Sequence, residues 1–145
     1  MKNCLPVGLS SKENVRVEVA VSELKKGDAL NWATHKALGI DLVPFMHRGR
    51  IAMMDVPAEG MPMPYGAMRL FSESWKDGGS VVGDLLESGL WRAQGCPSGV
   101  EFSTLDGSIV SRGVDALEAA CLAKVESVLG KVIAIPAYFL NNPQS

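Results

Sequence analysis

Six consecutive residues, Trp75-Lys76-Asp77-Gly78-Gly79-Ser80, bring together more potential chemistry than any other stretch of this chain. Two adjacent glycines let a ligand approach the backbone closely. A helix that follows them presents unpaired amides and a partial positive charge, which suit an anion. Ser80 adds a hydroxyl, Lys76 a full charge, and Trp75 a flat ring for stacking. The same residues also make an ordinary turn and N-cap, and on composition alone that plainer reading leads.

A second basic spot lies at His47-Arg48-Gly49-Arg50, where Arg48 and Arg50 flank a glycine and suit phosphate or carboxylate. Its plainer reading is an exposed turn between strands. Trp32, on the preceding helix, is more often core than a stacking platform, but beside Trp75 it could clamp a flat ligand, and Lys36 lies towards the solvent side of the same helix. The site set expected from the sequence is therefore Trp75, Lys76, Gly78, Gly79, Ser80, Trp32, Lys36, Arg48 and Arg50.

No catalytic constellation is legible. The two histidines, His35 and His47, have no metal-ligand spacing with each other or with paired carboxylates. Walker, dinucleotide-binding, zinc-protease and nucleophile-elbow patterns are missing. Neither a cofactor nor a metal is expected. Cys4, Cys96 and Cys121 are odd in number and widely spaced, which reads as reduced thiols in a cytoplasmic setting, with Cys121 buried in a helix. The N-terminus shows no apolar signal-peptide core, and the longest apolar tract, 132–140, is too short to cross a bilayer.

Elements must position these residues. The 145 residues are 47% hydrophobic, enough for one domain with a core. Net charge is -2, which argues against general nucleic-acid coating. The charge is uneven: residues 1–70 hold nine Lys/Arg against seven Asp/Glu, and residues 71–145 hold five against nine. Strict alternation over 15–21 predicts a strand. A helix over 29–38 follows, capped by Ser22 or Asp28, closed by Gly39, with His35 and Lys36 towards solvent. Segment 40–65 reads as one or two short strands and a Met/Pro-rich loop at 53–65. Residues 66–71 suggest another strand. Ser80 caps a short helix over 81–88. Residues 90–95 and 100–107 read as strands, the second ending in an Asp106-Gly107 turn. The clearest helix is 114–130, with Val114, Leu117, Cys121, Val125 and Val128 on its buried face. A last strand runs over 131–139, and residues 1–13 and 140–145 are tails. The whole is expected to be α+β: a small, mainly antiparallel sheet with two main helices and one short helix.

Three blocks carry a family resemblance: "VEVAVSELKKGDALNWATHKALG", "SESWKDGGSVV" and "GVDALEAACLAKVESVLGKVIAIP". In order and spacing they resemble the NinX-like family of small phage proteins of unknown function. The matched positions are Leu24, Gly27, Leu30, Trp32, Lys36, Gly39, Trp75, Gly78 and Gly79. Ser80 stands where the family pattern has proline. The resemblance implies a phage origin and action in the host cytoplasm. With the residues above, it leads to an expected role: a non-enzymatic accessory protein that sequesters a small anionic, nucleotide-like defence signal. As a homo-oligomer it could enclose such a ligand between chains. The alternative is a module that inhibits or redirects a host protein through the Met/Pro loop. An enzyme ranks last.

Overall fold

The computed structural model describes residues 16–47, 50–56, 69–137 and 139; for 41, 43–47 and 50–56 the description is of the backbone alone. Strand β1 (Arg16–Ala20) enters a 3-10 turn at Val21–Glu23, and helix α1 (Asp28–Leu38) follows. Strands β2 (Asp41–His47) and β3 (Arg50–Val56) come next, then α2 (Trp75–Glu87). Strands β4 (Trp91–Cys96), β5 (Gly99–Thr104) and β6 (Val110–Gly113) lead to α3 (Ala116–Leu129) and β7 (Val132–Pro136). The fold is α+β, and every strand pairing is antiparallel.

The strands form three small sheets rather than one: β1-β7, β2-β3 and β4-β5-β6. The first closes the two ends of the described chain on each other, with Val19 opposite Ile133 and Val17 opposite Ile135. In the second, His47 pairs with Arg50, and Arg48 and Gly49 lie outside the described residues. In the third, the Asp106-Gly107 turn forms as expected: Gly107 takes a φ of 77° and the Asp106 carboxylate accepts from the Ser108 amide at 2.9 Å. Hydrogen bonds from Ser108 and Thr104 hold the Asp106 carboxyl down to about 2.

Helix α3 is the hub. It packs against α1, α2, β5, β6 and β7. Its burial is not the single stripe expected from periodicity. Leu117 through Ala123 are buried without interruption, while Val114 is 63% exposed and Val128 is 50% exposed. Val114 precedes the helix, and Val128 lies in its last turn beyond the packed elements. Small residues permit this all-round packing: a Cβ at Gly113 would stand 2.6 Å from the Ala119 nitrogen, so β6 and α3 meet backbone to backbone. Phe102 on β5 is wholly buried under the helix, a contribution of roughly 1.5–3 kcal/mol.

The N-terminus of α3 is tied by carboxylates. Asp115 is the N-cap and accepts from the Glu118 amide at 2.9 Å. Glu118, itself buried, reaches back to the Val114 amide at 2.7 Å and also accepts from the Lys26 amide. The Lys26 ammonium pairs with Asp115. Partial burial raises the Asp115 carboxyl, but the Glu118 amide and Lys26 outweigh it and leave it lowered. Here the loop before α1 is fastened to the start of α3.

Several boundaries differ from expectation. The N-cap of α1 is Gly27, at φ 139°, instead of Ser22 or Asp28; Ser22 lies in the 3-10 turn and Asp28 is the first helical residue. His35 is buried, because α1 packs on both α3 and the turn at 71–73. Residues 71–73 form that turn, with the amides of Glu73 and Ser74 bonded to the Leu70 carbonyl, so no strand runs into Phe71. Helix α2 has 13 residues and starts well before Ser80. Residues 53–56 of the expected loop belong to β3, and residues 57–65 lie outside the described residues.

Candidate functional site

The Trp75–Ser80 corner is the first turn and a half of α2. Ser74 is the N-cap, in extended conformation, without a side-chain cap bond. Asp77, third residue of the helix, turns its carboxylate back to the Leu70 amide at 2.8 Å, a placement that the positive helix N-terminus favours. The amide of Gly78 donates to the Ser74 carbonyl at 2.7 Å. That amide is therefore spent inside the helix and is not offered to an anion.

Gly78 is glycine for a packing reason. A Cβ there would stand 2.0 Å from the Phe71 carbonyl oxygen and 2.9 Å from a Leu117 methyl. Gly79 has no such constraint: its Cβ would meet only the Trp75 ring, at 3.6 Å. Ser80 is an exposed residue inside the helix, not its cap. Lys76 is exposed, and Trp75 is 59% exposed. The corner therefore joins two helices and leaves its aromatic and its cation on the outside.

A buried polar joint holds this corner against α1. The Asn31 side-chain oxygen accepts from the Ser72 amide at 2.8 Å and from its hydroxyl at 2.7 Å. Its amide nitrogen donates to Glu73 at 2.9 Å, and the Gly27 amide donates to the Ser72 hydroxyl at 3.1 Å. His35 faces the Asn31 carbonyl through Nδ1 at 2.8 Å and accepts the Arg69 amide at Nε2 at 3.2 Å. An amide donor at Nε2 fixes the ring as the Nδ1–H tautomer. The Phe71 ring stacks edge-on against it, centroids 4.7 Å apart. These groups satisfy one another, so this cluster is structural.

Two other cations lie against one ring elsewhere. Trp32 is only 5% exposed, and two positive side chains lie against its ring. The Arg16 guanidinium carbon is 5.3 Å from the ring centroid and the Lys36 ammonium is 5.7 Å. Phe139 lies alongside, centroids 6.4 Å apart. Lys36 is there because it is one helical turn past Trp32. Arg16 is there because β1 begins beside α1 with Arg16 opposite Pro136 of β7. Both cations are exposed, and neither makes an ion pair among the described residues. Each cation–ring contact contributes about 0.5–1 kcal/mol at such a surface and holds the two charges in place.

Of the nine residues expected from the sequence, the structure thus brings Trp32 and Lys36 together, with Trp75, Lys76, Gly78, Gly79 and Ser80 on a separate helix. Trp32 finds its ring partner in Phe139, not in Trp75. Arg48 lies outside the described residues, and of Arg50 only the backbone pairing is described. Arg16 was missed. Its one sequence signal, a polar position on an alternating strand, says nothing of which helix that strand will meet.

A cavity of about 220 Å³ between the 3-10 turn, β6 and α3 is lined by Ser22, Ser111, Arg112 and Glu126, among others. Arg112 there is already paired with Glu101 at 2.9 Å. Among the described residues no group of three His, Cys, Asp or Glu could hold a metal ion, and no helix is long and apolar enough to cross a membrane. Among the described residues the geometry defines an α+β protein with three α-helices and two exposed cations lying against the buried Trp32 ring. Comparison with protein-family models, curated proteins and solved structures finds no match to the chain.

Proposed function

We propose that this chain is a non-enzymatic binding protein that holds a small anionic, nucleotide-like molecule at Arg16, Trp32 and Lys36. The observation that carries the reading is the convergence of two unpaired cations on one indole ring. A phosphate beside this ring is attracted by both charges. A guanidinium offers a planar donor fork, and an ammonium adds a movable point charge. The resemblance of three sequence blocks to NinX-like phage proteins supports a setting in an infected cell. There, stoichiometric capture of a nucleotide signal of host defence is the role that needs no catalytic machinery.

The test is a thermal-shift and calorimetric screen against mono-, di- and cyclic nucleotides. A ligand at 100 times its dissociation constant raises stability by about 2.7 kcal/mol. Arg16→Ala and Lys36→Ala should each weaken binding by about 1.5–3 kcal/mol, roughly ten- to a hundredfold, while the unliganded protein loses only its cation–ring contact, about 0.5–1 kcal/mol. Recovery of the ligand intact separates capture from turnover. A panel without a single shift, or a ligand bound equally by the double variant, overturns the proposal.

A further inference from the structure

Strand β6 is an edge of its sheet, and the cavity of about 220 Å³ beside the 3-10 turn and α3 lies along it. The hydrogen-bond alternation of the sheet says which groups that edge offers. The Thr104 amide donates to the Ile109 carbonyl, and in the register of β5 and β6 that makes Phe102 with Ser111 the next bonded pair. On the other side of β5 the Leu105 amide donates to the Leu90 carbonyl, so the pairs bonded to β4 fall at Ser103 and Glu101. The amides and carbonyls of Val110 and Arg112 therefore point away from β5, and both residues line the cavity. Such an edge keeps donors and acceptors for a further polar molecule.

The side chains narrow the choice of molecule. Ser111 lines the cavity and is only 6% exposed, yet its hydroxyl makes no hydrogen bond among the described residues. A buried hydroxyl is nearly always bonded, to the protein or to a molecule lodged beside it. Glu126, one helical turn past Leu122 on α3, lines the same cavity half-buried and makes no ion pair among the described residues. Arg112 is paired with Glu101 across the sheet and not with Glu126. Val21 and Leu122, both buried, add an apolar wall. The volume corresponds to about seven waters at roughly 30 Å³ each, the bulk of one small molecule. An uncompensated carboxylate calls for a cation, outward amides and a hydroxyl call for an acceptor, and the wall calls for a short hydrocarbon.

We propose that this cavity binds a free amino acid with an apolar side chain. Its ammonium meets the Glu126 carboxylate, its carboxylate accepts from the edge amides of β6 and the Ser111 hydroxyl, and its side chain lies against Val21 and Leu122. No residue is shared with the Arg16, Trp32 and Lys36 surface, so the two sites stand or fall separately.

Calorimetric titration of the full chain with L-leucine tests it, beside two truncated probes: isoamylamine, which lacks the carboxylate, and isocaproate, which lacks the ammonium. Leucine should bind, and each truncated probe at least tenfold more weakly. Glu126→Gln keeps the shape of the side chain and removes its charge, and should weaken leucine binding at least tenfold with an unchanged circular dichroism spectrum. Ser111→Ala should weaken it as well while melting no lower than the wild type, because the hydroxyl has no partner in the fold to lose. Neither variant touches Arg16 or Lys36, so nucleotide titrations report on the other site independently. Failure of leucine, isoleucine, valine and methionine all to bind at millimolar concentration overturns the proposal. So does a truncated probe that binds as tightly as leucine, a Glu126→Gln protein that binds like the wild type, or a Ser111→Ala protein that melts well below it.

Discussion

Replacing Gly78 and Gly79 in turn by alanine should move stability in opposite directions. Alanine is favoured over glycine inside a helix by about 1 kcal/mol, so propensity alone makes both changes stabilising. Packing separates them. At Gly78 the new methyl would lie 2.0 Å from the Phe71 carbonyl oxygen, far inside contact distance. That carbonyl has nowhere to retreat: the Phe71 ring packs against His35, and the next residue, Ser72, is held twice by Asn31. Overpacking against so fixed a neighbour costs about 3 kcal/mol, and the propensity gain leaves a net loss of about 2. For a domain of this size that lowers the melting temperature by roughly 4–8 °C. At Gly79 the methyl makes an ordinary 3.6 Å contact with the Trp75 ring, so the full gain of about 1 kcal/mol should appear, a rise of roughly 2–4 °C. Calorimetry and urea titration on dilute protein, with equal slopes in the wild type and both variants, provide the measurement. Equal shifts in the two variants, or a Gly78→Ala protein melting with the wild type, would refute the packing argument.

Burial pushes the Cys121 thiol up to about 12, so a thiol reagent at neutral pH should modify Cys96, which is partly exposed, and leave Cys121 untouched until the protein unfolds; the Cys121 labelling rate should follow the denaturant transition. Acid should loosen the clasp between Lys26 and α3. The Asp115 carboxyl is lowered in the folded state, so its contribution is complete above the unfolded value near 4 and disappears as pH falls through the folded one. Asp115→Asn keeps an N-cap acceptor but no charge, so the stability gap between wild type and variant should close as pH drops below about 4; a gap constant from pH 7 to pH 2 contradicts that assignment.

Local signals were the legible ones. Gly39 and Gly130 close α1 and α3 as read from the sequence, and Asp106-Gly107 forms the expected turn, because each depends on backbone chemistry within a few residues. The error at α2 has the same origin. Ser80 is a good capping residue, but so is Ser74, and only the tertiary contact beneath Gly78 shows that the helix is already under way. Helix α3 defeats a periodic reading because it is covered on nearly all sides; its hydrophobic run of alanines has no clean polar face to betray the direction of the core. The division into three sheets was hidden for a simpler reason. Alternation identifies a strand, but the partner of β1 is β7, more than a hundred residues along the chain.

The same distinction decides where the proposed anion site is placed. Lys76 beside two glycines looks, along the chain, like a denser basic spot than Lys36 beside one tryptophan. In space the order reverses. Lys76 stands one residue from Asp77, and the neighbouring glycine amide is engaged within the helix. Lys36 acquires a second cation from a strand twenty residues earlier, over a ring that fixes both. Two other cations among the described residues are neutralised in structural pairs, Lys26 with Asp115 and Arg112 with Glu101. Two positive charges without an ion pair, both lying against one indole ring, are the feature on which the proposed anion site rests, and the Arg16→Ala and Lys36→Ala variants test it.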